Sequence, residues 1–496
     1  MRVVPIAAFA LTGCAQLFGI AETSAPDAPA GTVSLQVQRE SIGATIVKGP
    51  QDLTGQTATF LVPDAADPSG YRRVPATLSA SLDTWTAIIP DGTPLIEFTL
   101  PDYPEPMTRL LALPNRNILY SFYVYEHPAP VAPPSPASFD VNVTLPTPYA
   151  VNESFQAYSI GTWSYHNFTA AEVPAAAGPT VLGPINIPYD AAHFANITGR
   201  AIEKVTTDDQ FLVLRYVGPD LTGFLELPRF DQTGVDGVTG AMAANPHTAM
   251  LDLMVEPTKP AMRFAGVRPA TTATSMSWIL AASPGYASAH LSGPGLQSAG
   301  VLPADTGKIT AAYGNPFVAH GWNTALLWNP NATRSYTDPA TMLAVTLYTG
   351  LQQMVEPTSG QLLDLPSGLP ISVSANQTAL ISDGNTLTLD PTKSVELSAT
   401  FDRATCTFYQ MDVIELLPNT AAPMPTALTG HVRYFTMQTA QTIKIPPGVF
   451  VTDHLYTVRV HCVQGAYPTF ADGNLQNRTL PFSQGYLDSG VFKVSL

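Results

Sequence analysis

Apolar and polar residues alternate along much of this chain. Thr32 to Arg39 sets Val33, Leu35 and Val37 against Ser34, Gln36 and Gln38, the period of a half-buried strand. Similar short stretches recur: Thr57 to Val62, Trp85 to Ile89, Leu95 to Leu100, Ile118 to Glu126, Phe211 to Val217, Met262 to Val267, Asn323 to Trp328, Met342 to Thr349 and Val395 to Phe401. Cys406 to Leu416 and His431 to Met437 read as strands too. Leu455 to Val463 alternates most strictly, with Tyr456, Val458, Val460 and Cys462 on one face. Turn clusters such as Pro63-Asp64 and Asp91-Gly92 separate these stretches. The pattern predicts an all-β protein of tandem β-sandwich domains.

With 496 residues the chain is longer than one sandwich requires. We expect units over 32–145, 146–260, 261–365 and 366–496. The proline-rich Pro128 to Pro136 lies near the end of the first. Met254-Val-Glu-Pro-Thr258 recurs as Met354-Val-Glu-Pro-Thr358, a spacing of 100 residues that would suit two related domains. The 47 prolines and 35 glycines favour short strands and ordered loops over helices.

Charge removes some function classes. The chain has 23 basic and 38 acidic residues, net −15, and no basic cluster, so nucleic acid is not an expected partner. Neither His-x-x-x-His nor His-Glu-x-x-His occurs, and there is no phosphate-cradling or dinucleotide fingerprint. We expect no enzyme, no cofactor and no metal site. Asp231 to Gly237 is read as an Asp/Gly turn rather than a calcium loop.

The amino terminus carries the most specific signal. Met1 and Arg2 precede an apolar run from Val3 to Ala10, which closes on Leu11-Thr12-Gly13-Cys14. This order resembles the lipobox of bacterial lipoproteins. The resemblance implies that residues 1–13 are a signal peptide and that Cys14 is the lipidated first residue of the mature chain. Residues 14–31 would then be the lipidated cysteine and a small, polar linker, as in Thr23-Ser-Ala-Pro-Asp-Ala-Pro29. Several acyl chains on one residue meet the two-signal requirement for stable anchoring. Ala15 stands where an aspartate favours inner-membrane retention in the best-known systems. The implied location is therefore the outer membrane or cell surface, lipid-anchored, with a periplasm-facing orientation as the alternative.

Tyr456-Thr-Val-Arg-Val460 resembles the sixth strand of fibronectin type III domains. That resemblance implies a fibronectin- or immunoglobulin-like sandwich for 366–496, with Tyr456 tying down the corner that enters the strand. With Cys14 assigned to lipid, Cys406 and Cys462 remain, both in this last unit. Export places them in an oxidising compartment, so a disulfide between neighbouring strands is expected; the alternative is two buried thiols.

The expected function is a non-enzymatic exported lipoprotein acting as a structural, adhesive or binding surface of the cell envelope. Its partners would be the membrane, through lipid on Cys14, and an envelope protein or polysaccharide. The alternative is an exported carbohydrate-binding or carbohydrate-cleaving protein, with Trp85, Trp163, Trp278, Trp322 and Trp328 as candidate stacking platforms, although most of them read first as core residues.

Overall fold

The computed structural model describes residues 31–100, 107–124, 137–161, 164–169, 172–173, 178–189, 195–196, 210–227, 238–255, 258–271, 273–285, 293–299, 307–419, 425–476 and 478–496. Leu11 to Cys14, the linker to Ala30, Pro128 to Pro136, Trp163 and the Asp231 to Gly237 turn lie outside these residues.

The fold is all-β, with several sheets stacked as sandwiches. Its spine is a 14-stranded sheet. From one edge the strands run Gly295–Ala299, Ala273–Ser283, Asn323–Thr337, Ala344–Val355, Thr479–Asp488, Leu455–Ala466, Phe408–Pro418, Leu428–Gln438, Thr108–Ala112, Leu95–Thr99, Ala58–Pro63 and Tyr71–Pro75. Asn385–Thr388 and Phe492–Ser495 attach beside Leu455–Ala466. Pairing crosses the expected unit boundaries. Thr108–Ala112 lies parallel to Leu428–Gln438, and Ala344–Val355 lies antiparallel to Thr479–Asp488. Strands from the first, third and fourth expected units thus share one sheet. Local periodicity marks each strand but carries no information about such distant partners.

Both faces of the spine are covered in its middle. On one face lies a smaller sheet, here the roof, built on Thr32–Ile42, Thr84–Ile88 and Asn117–Val124. Val33, Leu35, Val37, Trp85 and Ile118 of the roof share a core with Phe408, Met437, Val463 and Phe482 of the spine. On the other face Met411, Val413, Val458 and Val460 share a core with Val373, Leu397, Ile443 and Ile445, which belong to a four-stranded sheet. Residues 137–244 form a sandwich of their own, closed on Val141, Phe155, Phe211, Val213 and Met242. A bidentate Arg215–Glu153 pair at 2.7 and 2.9 Å is buried beside it.

Most of the alternating stretches form strands. Phe211–Val217 and Val395–Phe401 are strands at the expected bounds, and Tyr456, Val458, Val460 and Cys462 are all fully buried. The stretch from Met262 departs from expectation. Thr258–Phe264 is a short helix, with Met262 exposed and Phe264 buried. Its apolar residues are too few for the strand and helix periods to be told apart. The repeated Met-Val-Glu-Pro-Thr segments both end a strand on a buried valine, Val255 and Val355. Their methionines differ: Met354 is core, whereas Met254 is half exposed on a three-stranded sheet.

Candidate functional site

The roof and the spine do not seal along their whole length. At one end Phe408, Val463 and Phe482 share the roof's core and form the apolar end of the opening, and Phe408 stacks on Phe470 at 4.8 Å. Residues two apart on a strand share a face, so the same side of the spine continues through Gln410 and Asp412 on one strand and His461 and Arg459 on the next. The floor changes from apolar to polar within two residues. There the sandwich opens into a cleft of about 670 Å3. That volume lies in the ~300–1,000 Å3 range of small-molecule sites.

Strand register lays out two rungs of the spine that cross the floor and run past it, since Tyr486, Arg459 and Asp488 lie beyond the cleft lining. The first reads Met437, Gln410, His461, Tyr486, and the second reads Arg109, Phe435, Asp412, Arg459, Asp488. Gly350 faces Tyr486 across the next strand, and a Cβ there would overlap the tyrosine ring, so only glycine fits. Over the floor stand Tyr120 and Phe122 of the roof strand Asn117–Val124. At the rim the Arg478 guanidinium sits between the rings of Tyr123 and Tyr467, 5.7 and 5.3 Å from their centroids. Half-buried His431 and exposed Gly430 mark another part of the lining.

The polar groups of these two rungs are held, and some of those in the cleft remain available. Gln410 donates through Nε2 to both carboxylate oxygens of Asp412, at 3.1 and 3.0 Å. His461 Nε2 lies 3.6 Å from Asp412 Oδ2, beyond hydrogen-bond reach, and neither ring nitrogen of His461 has a hydrogen-bond partner in the protein. Arg459 grips Asp488 in a bidentate pair at 2.6 and 2.9 Å. Burial alone would lower the Arg459 pKa, but the Asp488 carboxylate more than offsets this and holds it above its ordinary value. Burial likewise pushes the Tyr486 hydroxyl up to about 12, so it stays a neutral donor at any physiological pH. The cleft therefore combines aromatic faces with a carboxylate, an amide, an imidazole and guanidinium groups, the donors and acceptors of a specific site for a polar ligand.

The residues singled out from the sequence lie elsewhere. Cys14 is outside the described residues. Cys406 and Cys462 lie at disulfide distance, with sulfurs 1.95 Å apart and Cα atoms 5.3 Å apart. Cys406 sits just ahead of the Phe408–Pro418 strand and Cys462 within its neighbour, on the face away from the cleft. Gly368 passes directly beside this pair, and a Cβ on it would meet the Arg403 carbonyl. Tyr456 is fully buried on that same face. Its hydroxyl accepts from the Val451 N–H at 2.9 Å, tying the segment before the strand to the strand itself. Burial raises its pKa to about 12. Trp85, Trp278, Trp322 and Trp328 are all buried in cores and line no open surface.

Sequence reading missed Gln410, Asp412, Arg109 and the cleft role of His461. A signal was present: in a chain with only 12% charged residues, Asp412, Arg459 and His461 concentrate on adjacent alternating strands. No group of three or more metal-ligating side chains occurs among the described residues, and no helix among them is long and apolar enough to cross a membrane. No protein-family model matches the chain, and no curated protein sequence matches it.

Proposed function

We propose that this chain is an exported, membrane-anchored lipoprotein, non-enzymatic, that serves as a binding surface of the cell envelope, and that the cleft between roof and spine is where its ligand sits. The cleft carries the reading: a polar floor under aromatic walls, sized for a small ligand or a ligand segment. Leu11-Thr12-Gly13-Cys14 supports the anchor. The Cys406–Cys462 pair supports an oxidising compartment.

Two measurements test the two halves. Metabolic labelling with a fatty acid should mark the intact protein and leave Cys14→Ala unlabelled and released from the membrane fraction. Label on neither protein would remove the anchor. For the binding half, purified full-length chain is mixed with isolated envelope material and sedimented. Wild type should co-sediment and Asp412→Asn should remain largely in the supernatant; equal behaviour of the two would place the binding surface outside the cleft.

A further inference from the structure

Resting on the cleft as a binding site, we propose that its ligand is a saccharide, with a sugar ring lying against the aromatic wall and its hydroxyls on Asp412, Gln410 and His461. Three observations lead there. The wall presents the rings of Tyr120 and Phe122, which are almost wholly buried, opposite Phe435 of the floor. Sugars carry C–H faces that pack on such rings and a rim of hydroxyls that each donate and accept. The floor answers that rim with groups of both kinds. Asp412 accepts, the Gln410 amide donates and accepts, and His461 offers one donor and one acceptor, neither used within the protein.

The spacing matters as well. The 3.6 Å between His461 Nε2 and Asp412 Oδ2 is too long for a direct hydrogen bond. A hydroxyl lying above that gap can donate to the carboxylate and accept from the imidazole. Buried polar atoms are nearly always partnered, and such a hydroxyl would partner the His461 ring.

Other ligand classes fit the same groups less well. A hydrocarbon ligand would leave the Asp412 carboxylate, more than nine-tenths buried, against apolar atoms without hydration. A phosphate chain would meet the Asp412 carboxylate in the floor of a protein of net charge −15. A bare cation would meet Arg109 and Arg478.

The test is calorimetry on the full chain with four probes: a glucose trimer, an N-acetylglucosamine trimer, a galacturonic acid trimer and, as a non-sugar aromatic, p-cresol. At least one trimer should bind at a single site. Asp412→Asn and His461→Phe should each weaken it by about tenfold or more, the effect of losing a hydrogen bond to a charged or buried group. Met262→Ser, at an exposed position remote from the cleft, should bind as wild type does. Should either cleft variant melt early, Gln410→Leu, at a half-buried position, takes its place with the same expected loss. Which trimer binds separates neutral, acetamido and acidic sugars. The proposal is overturned if no trimer binds at millimolar concentration, if p-cresol alone binds, or if every cleft variant binds as wild type does. Loss of envelope co-sedimentation in Asp412→Asn with no trimer bound would keep the cleft as a binding site and remove the sugar.

Discussion

The strands Phe408–Pro418 and Leu455–Ala466 are neighbours, yet their two faces have opposite characters. Met411, Val413, Val458 and Val460 point into one core and are fully buried. Gln410, Asp412, Arg459 and His461 point the other way and form a polar middle on that face, between Phe408 and Val463 at one end and Ile414 and Leu416 at the other; Gln410, Asp412 and His461 line the cleft. Ordinary amphipathic strands put their polar face in water. Here a second sheet covers that face, so the polar side chains form the floor of a cleft. One face keeps the strands in place, and the other is left to recognise something. Each change below tests whether stability and recognition divide between the faces in this way.

The largest expected effect is on the packed face. Cys406 and Cys462 close a loop with a sequence separation of 56 residues, and Cys462 is fully buried there. Replacing both by alanine should cost about 4 kcal/mol on the chain-entropy account. Urea unfolding should show it as a lower midpoint, while saccharide binding by the protein still folded stays unchanged. A variant of wild-type stability would mean that packing alone holds these strands. Next comes Met411→Ala, which should cost about 3 kcal/mol through lost burial and the cavity left behind. Its neighbour Gln410→Ala, facing the cleft, should cost about 1 kcal/mol or less while weakening the ligand. If the two variants were equally destabilised, the division of labour between faces would fail.

Sequence reading recovered one of these faces and not the other. Strict alternation over Leu455 to Val463 identified Tyr456, Val458, Val460 and Cys462 as a buried row, because hydrophobic burial acts on each strand through its own residues. The same alternation makes Arg459 and His461 look solvent-facing. What lies over His461 is Asn117–Val124, more than 330 residues earlier, brought there by parallel pairing of Thr108–Ala112 with Leu428–Gln438. A roof of that kind leaves no mark on the strand it covers. For the same reason the four-unit division read from chain length, the proline-rich crossing and the repeated pentapeptide does not mark where sheets begin and end. The buried tryptophans teach a related point. Trp322 donates its Nε1–H to the Ala44 carbonyl at 2.8 Å, so its polar edge is satisfied inside the protein, which composition could not reveal.

A smaller effect probes the structural share of the rung that continues past the cleft floor. Asp488 is fully buried and its carboxylate is gripped by Arg459, whose side chain keeps about a third of its exposure. Arg459→Met removes the cation and leaves Asp488 facing Arg459's former site. Removing one partner of a fully buried pair costs about 3–5 kcal/mol; with Arg459 partly solvated, about 2 kcal/mol is expected. Asp488 also accepts from the Tyr348 N–H at 2.8 Å, which keeps part of its pairing intact. Arg459→Met combined with Asp488→Leu should recover much of the loss in thermal unfolding. A double variant worse than the single one would show that the rung itself, and not the unpaired charge, is what the fold needs.

The smallest effect concerns acid, and it falls on the packed side. Glu415 lies opposite Tyr456 on the neighbouring strand, with its side chain almost wholly buried. Burial by itself would raise its pKa, but contacts with His454 and Arg433 win and hold the carboxyl below its ordinary value of 4.5. The folded chain therefore binds fewer protons at this site than the unfolded chain in the carboxylate range. Its contribution is fully present above the ordinary carboxylate pKa and is lost as pH falls through the lowered folded value. Urea midpoints followed from about pH 6 down to about pH 3 should drop for wild type more steeply than for Glu415→Gln, which has no such proton to take up. At neutral pH the variant should be the less stable of the two, because an amide pairs Arg433 and His454 less well than a carboxylate. Curves that stay parallel across the acid range would mean that Glu415 does not discriminate between folded and unfolded chain, and that the charges on the packed face carry no more of the stability than those in the cleft.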